Sequence, residues 1–168
     1  MSTHDHLRAL VDDGELVLFD RRRRRRFVRR VWLYKSVARR LDEGLADRDG
    51  DEYGVWLGLS TSIQHFCEGG AVVDSHLLAP ARATKRNGSP GLGVWKLQYK
   101  GFPEARLIGG FIVPGDFIGL VAASRADLAG HYNEAIDMCC ELWLKLFPNF
   151  NRCNTSIESL CVEASNVN

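Results

Sequence analysis

Four cations stand singly in or beside three otherwise apolar runs. Lys96 and Lys100 lie in V-W-K-L-Q-Y-K (94–100), Arg106 in A-R-L-I-G-G-F-I-V (105–113), and Arg125 just past F-I-G-L-V-A-A (117–123). Side chains alternate between the two faces of a strand, so Lys96 and Lys100, four apart, share a face. Cations on neighbouring strands can converge on one surface, which would suit a phosphate-bearing ligand. Arg106 is the first candidate for phosphate contact, because a guanidinium offers oxyanions a bidentate fork. His131 and Tyr132 follow early in the last helix. An imidazole of ordinary pKa, about 6.5, suits proton transfer at neutral pH. A phenol can donate a proton or stack on a base. Each residue also has a plain alternative. Two lysines on an exposed strand are ordinary edge protection, Arg106, Arg125 and His131 suit a solvated surface, and Tyr132 fits the apolar stripe of its helix.

A second concentration of charge runs unbroken from Arg21 to Arg26, with Arg29, Arg30, Arg39 and Arg40 behind it. Within it Arg21, Arg22 and Arg25 are candidates for holding a polyphosphate such as RNA, and a solvated segment is the alternative. Arginines near a helix N-terminus oppose the macrodipole, a mild local cost. The net charge is only +1, from 22 basic and 21 acidic residues. Total charge therefore gives no sign of a nucleic-acid binder, and only its distribution does.

The elements that must position these groups are readable from periodicity. The three apolar runs, separated by tight breaks, predict an antiparallel meander. Pro114-Gly115 supplies a turn, and Gly109-Gly110 inside a run predicts a bulge or a close backbone approach. Upstream, residues 15–19 predict a short strand. Asp20 is a candidate N-cap for an amphipathic helix to about residue 45, since Phe27, Val31, Tyr34, Ala38, Leu41 and Leu45 recur every three or four residues. A second helix is expected over 52–66, a strand over 71–78, and a polar loop over 81–93. A long helix is expected over 126–147, stopped by Pro148. The tail from 149, with few large apolar groups, is expected to be loosely held. The predicted fold class is α+β, with an N-terminal strand and two helices, an antiparallel-rich curved sheet with a C-terminal meander, and a closing C-terminal helix.

With 168 residues, 45% apolar and 26% charged, the chain has the make-up of one soluble domain. No apolar run approaches the ~20 residues needed to span a bilayer. The first ten residues lack the apolar core of a secretory signal, so a cytoplasmic location is the default expectation. Five cysteines at irregular spacing argue against a disulfide framework and for reduced thiols packed as small hydrophobes. No Cys/His pair has zinc-ligand spacing, and no metal or other cofactor is expected.

The order of elements, V-W-K-L-Q-Y-K (with Gln98 where arginine is usual), A-R-L-I-G-G-F-I-V, and F-I-G-L-V-A-A-S-R followed by G-H-Y-N-E-A together resemble the RelE/ParE superfamily of bacterial toxins, nearest to its HigB-like branch. The likeness covers roughly residues 15–137. It implies a toxin domain over 15–147, with an extension over 1–14 and a tail over 148–168. It further implies a ribosome-dependent mRNA endoribonuclease that inhibits translation and is neutralised by a cognate antitoxin. The reaction would be attack of a 2′-hydroxyl on the adjacent phosphodiester, with no need for metal. On this reading Arg106, Arg125, His131 and Tyr132 are the catalytic candidates. Lys96, Lys100, Arg21, Arg22 and Arg25 would hold RNA, or the arginine run would dock an acidic antitoxin segment. The implied partners are that antitoxin, mRNA and the ribosome, with no membrane. The alternative is a non-enzymatic relative that binds a protein such as a gyrase, or that serves only as a partner-binding module.

Overall fold

The computed structural model describes residues 2–20, 27–70, 78–80 and 93–162. They form an α+β domain around one mixed sheet. The elements are α1 (Thr3–Asp12), β1 (Leu16–Leu18), β2 (Arg30–Tyr34), α2 (Lys35–Ala46), α3 (Tyr53–Cys67), β3 (Leu78–Pro80), β4 (Trp95–Tyr99), β5 (Ala105–Val113), β6 (Asp116–Ser124), α4 (Arg125–Leu128), α5 (Tyr132–Leu146) and α6 (Ile157–Leu160). The strand order is β1-β2-β6-β5-β4-β3. Among the described strands only the β2–β6 pairing is parallel.

Alternation splits the strands between two apolar layers. Leu97, Ala105, Leu107, Phe111 and Phe117 meet α2 and α3 on one face, where Trp56, Leu59, Ile63 and Phe66 are buried. Ile108, Ile112, Ile118 and Leu120 meet α1 and α5 on the other, where Leu7, Ile136, Cys139 and Trp143 are buried. The β4–β5–β6 meander forms as expected, with a register shift between Ile108 and Gly109. A Cβ on Gly109 would overlap the Ile118 carbonyl oxygen, so the bulge needs glycine there. The Pro114-Gly115 turn takes a positive φ of 84° at Gly115.

Three expectations fail. The helix expected from Asp20 to residue 45 is interrupted by β2, and the helix begins only at Lys35, with Tyr34 as its N-cap. Val31 and Leu33 point into the α2/α3 layer, whereas Arg30, Trp32 and Tyr34 are half-buried in strand alternation. Arg30 donates from Nε and Nη2 to the two oxygens of Asp116, both at 2.6 Å. The Trp32 indole N–H donates to the same carboxylate at 2.9 Å. That carboxylate is 1% exposed, and the three side chains clamp the parallel register in which Arg30 faces Asp116. The long closing helix is divided as well. α4 ends at Leu128, and α5 starts at Tyr132 after a turn through Gly130 with φ 81°.

The described part of the tail, residues 149–162, is also better held than expected. Cys153 N–H donates to the Phe111 carbonyl at 2.8 Å, Gly115 N–H donates to the Leu160 carbonyl at 2.9 Å, and Leu160 is fully buried. Buried Arg29 completes the attachment. It donates to the carbonyls of Cys161, Phe66 and Gly70 and lies 5.0 Å from the Phe66 ring centroid. At the other end α1 is closed by a Ser2–Asp5 capping box and packs through Leu7. Most of the strand expected over 71–78 and of the loop expected over 81–93 lies outside the described residues, as do Arg21, Arg22 and Arg25.

Candidate nucleic-acid interface

The sheet face that carries α5 is open at the β4 side, and polar residues collect there. Lys96 and Gln98 project from β4, and Lys100 follows at the strand end. Gln98 stands opposite Arg106 in the register, and Arg106 stands opposite Ala123 of β6. Because α4 leaves β6 directly, Arg125, Leu128 and Ala129 form a wall over this floor, and the first residue of α5, Tyr132, closes it. The result is a groove of about 640 Å³ lined by these residues and Glu104. Four cations and one carboxylate face it.

The two arginines are organised by Glu104, which precedes β5. Arg106 Nη2 donates to Glu104 Oε2 at 2.7 Å, and Arg125 Nη1 donates to Oε1 at 2.8 Å. The Arg125 backbone N–H also donates to the Glu104 carbonyl at 2.9 Å. Hydrogen bonds from Arg106 and Arg125 hold the Glu104 carboxyl below the usual carboxylate range. Arg106 is no solvated arginine, being 9% exposed. Its Nη1 donates to the carbonyls of Tyr99 at 3.2 Å and Ala105 at 3.0 Å. Those bonds leave some of the guanidinium's five N–H donors for a ligand and fix its plane at the groove floor. Arg125 is the exposed counterpart, with 70% of its side chain open to solvent.

Lys96 and Tyr132 form the other half of the groove. The Lys96 ammonium lies 5.5 Å from the Tyr132 ring centroid. Burial pushes the Lys96 pKa down, and the charges of Arg106 and Lys100 push the same way. Burial pushes the Tyr132 phenol up, with Arg106 opposing. The Tyr132 hydroxyl is buried and has no hydrogen-bond partner among the described residues. A polar ligand atom would supply one on displacing the atoms that shield the hydroxyl from solvent.

His131 does not join this set. It sits in the turn before α5 with its ring largely exposed, and its Nδ1 lies 2.7 Å from Glu134 Oε2. Glu104 and Gln98, which line the groove, are not among the candidate cations and proton carriers that the sequence offers. Strand parity was the available signal, since Glu104 lies two residues before Arg106 and Gln98 lies between Lys96 and Lys100.

No group of three or more His, Cys, Asp or Glu side chains among the described residues could hold a metal ion. Among the described residues no helix is long and apolar enough to cross a membrane. None of the five cysteines, all of them among the described residues, is in a disulfide, and burial pushes the Cys67 and Cys139 thiols up to about 12. No family model, curated protein or solved structure matches the chain.

Proposed function

We propose that the groove takes the backbone of single-stranded RNA and that the chain is a RelE/ParE-like toxin cleaving mRNA at the ribosome, restrained by a cognate antitoxin. The observation that carries this reading is the convergence of Lys96, Lys100, Arg106 and Arg125 with Tyr132 in one groove. A net positive charge in a walled groove, four cations against one carboxylate, concentrates a polyanion. Arg106, Arg125 and Lys100 hold the non-bridging oxygens of the scissile phosphate. Lys96, its ammonium destabilised, takes the proton of the 2′-hydroxyl in its amine form. The oxygen then bonds to phosphorus, giving a 2′,3′-cyclic phosphate. Tyr132, kept protonated by burial and reached once the atoms shielding its hydroxyl move aside, donates its proton to the departing 5′ oxygen, and the proton on Lys96 returns to the Tyr132 phenolate. Acid–base assistance of this kind contributes about 10²–10⁴-fold, and preorganised charge usually contributes more.

One observation favours the non-enzymatic reading. Glu104 already occupies donors of both arginines, which suits a groove that binds a partner without chemistry. The test is induction of the chain in cells with mapping of mRNA 5′ ends. New 5′-hydroxyl ends in wild type, absent in Arg106→Ala and Tyr132→Phe, support cleavage. A chain that arrests growth with no new ends, in wild type or variants, is a binding module.

A further inference from the structure

We infer that Phe102, at the tip of the β4–β5 loop, is a stacking platform for an unpaired base of the RNA whose backbone lies in the groove. This rests on the reading above. Phe102 is 99% exposed, whereas the next most exposed large apolar side chain among the described residues, Leu144, is at 67%. No described residue covers the ring, and an aromatic side chain has about 150–250 Å² to bury. The loop around it is packed. Gly101 lies against the Tyr99 phenol so closely that a Cβ there would overlap it. On the other side Pro103 lies over Gly54 of α3, where a Cβ would come within 3.1 Å of its Cδ. The residues flanking Phe102 are thus seated, and the ring between them is held out.

Its position relates it to the groove. Lys100 and Glu104, two residues away on either side, both line the cationic cavity. Phe102 is outside the groove lining, so the platform requires the strand to turn round the loop tip past Lys100, where the base of a nucleotide whose phosphate meets Lys100 reaches the ring. A basic groove flanked by an exposed aromatic is the pairing that single strands require. The cations track the backbone, and the ring accepts any base, because every base has a π-face. Neither half of that pairing selects a sequence, so the ring adds affinity for unpaired nucleotides of any composition.

The experiment uses the full chain and a short 2′-O-methyl uridine oligonucleotide, which cannot be cleaved, together with a version of the same length whose bases are removed. Phe102→Ala is expected to weaken binding of the intact oligonucleotide about tenfold and to leave binding of the abasic one unchanged, with Phe102→Trp restoring affinity. Equal binding of Phe102→Ala and wild type to the intact oligonucleotide, while Lys100→Ala weakens both probes, overturns the platform and leaves the groove reading standing. An equal loss on both probes also overturns it, since the ring then acts on something other than a base. Wild-type chain that binds neither probe overturns the groove reading and this inference together.

Discussion

Tyr132→Phe separates stability from function with a single oxygen atom. The wild-type hydroxyl is buried with no partner among the described residues. A buried polar group left unpaired costs about 1–3 kcal/mol in mutational data. Tyr132 as a whole is only half-buried, so the lower end applies, about 1 kcal/mol. Phenylalanine removes that cost and keeps the ring, and the Lys96 ammonium at 5.5 Å retains its aromatic face. The variant should therefore unfold about 2–4 °C higher than wild type, with RNA affinity within about twofold if the hydroxyl acts in chemistry and not in binding. Cleavage should fall by about 10²–10⁴-fold, the share of a lost general acid. The assay pairs thermal and urea unfolding with the rate of 5′-hydroxyl end formation on one RNA. A lower melting temperature would mean that the hydroxyl is bonded in the fold, and the premise would be wrong. An unchanged cleavage rate would remove Tyr132 from the chemistry.

Other consequences follow from the same geometry. The folded-state pKa of Lys96 lies below its unfolded value of 10.5, so the unfolded chain binds more protons between the two and stability rises with pH through that window. Lys96→Met should consequently be more stable than wild type at pH 7, by a margin that shrinks as pH approaches 10.5; urea unfolding across pH measures this, and a margin independent of pH contradicts it. The cleavage rate should climb with pH as Lys96 loses its proton and fall once Tyr132 ionises above 10, and a rate flat from pH 6 to 10 would exclude Lys96 as the base. Gly109→Ala should cost about 1–3 kcal/mol in denaturant unfolding, because the new Cβ meets the Ile118 carbonyl across the bulge. Wild-type stability there would mean that the bulge yields freely.

What could be read from the chain was local. The meander and α3 follow from alternation and helical spacing within a few residues, and strand parity put Lys96 and Lys100 on one face, which Arg106 joins through the β4–β5 register that sets it opposite Gln98. β2 could not be read that way. The apolar spacing through Val31 and Tyr34 fits a helix as well as a strand, and the choice was made by β1, β6 and the Asp116 carboxylate, the last of these 86 residues from Arg30. The tail has few apolar groups, but it is held by carbonyl oxygens that meet Arg29 and Gly115, contacts with no local signature. In the groove, the division of the closing helix at Gly130 put Tyr132 at the cavity and turned His131 outward to Glu134. Glu104 is the groove's organising residue, and its role appears only once β5 and α4 lie side by side.

The account stands on the groove's cations meeting the backbone of a single strand. The most direct measurement is the affinity of the full chain for a short single-stranded RNA as a function of salt, in wild type and in Lys100→Ala/Arg125→Ala. Each phosphate contact on a single strand contributes about 0.7 to the slope of log affinity against log salt. Removing both phosphate-holding cations should lower the slope by about 1.4 and weaken binding most at low salt. Equal slopes and equal affinities in the two proteins would contradict the account.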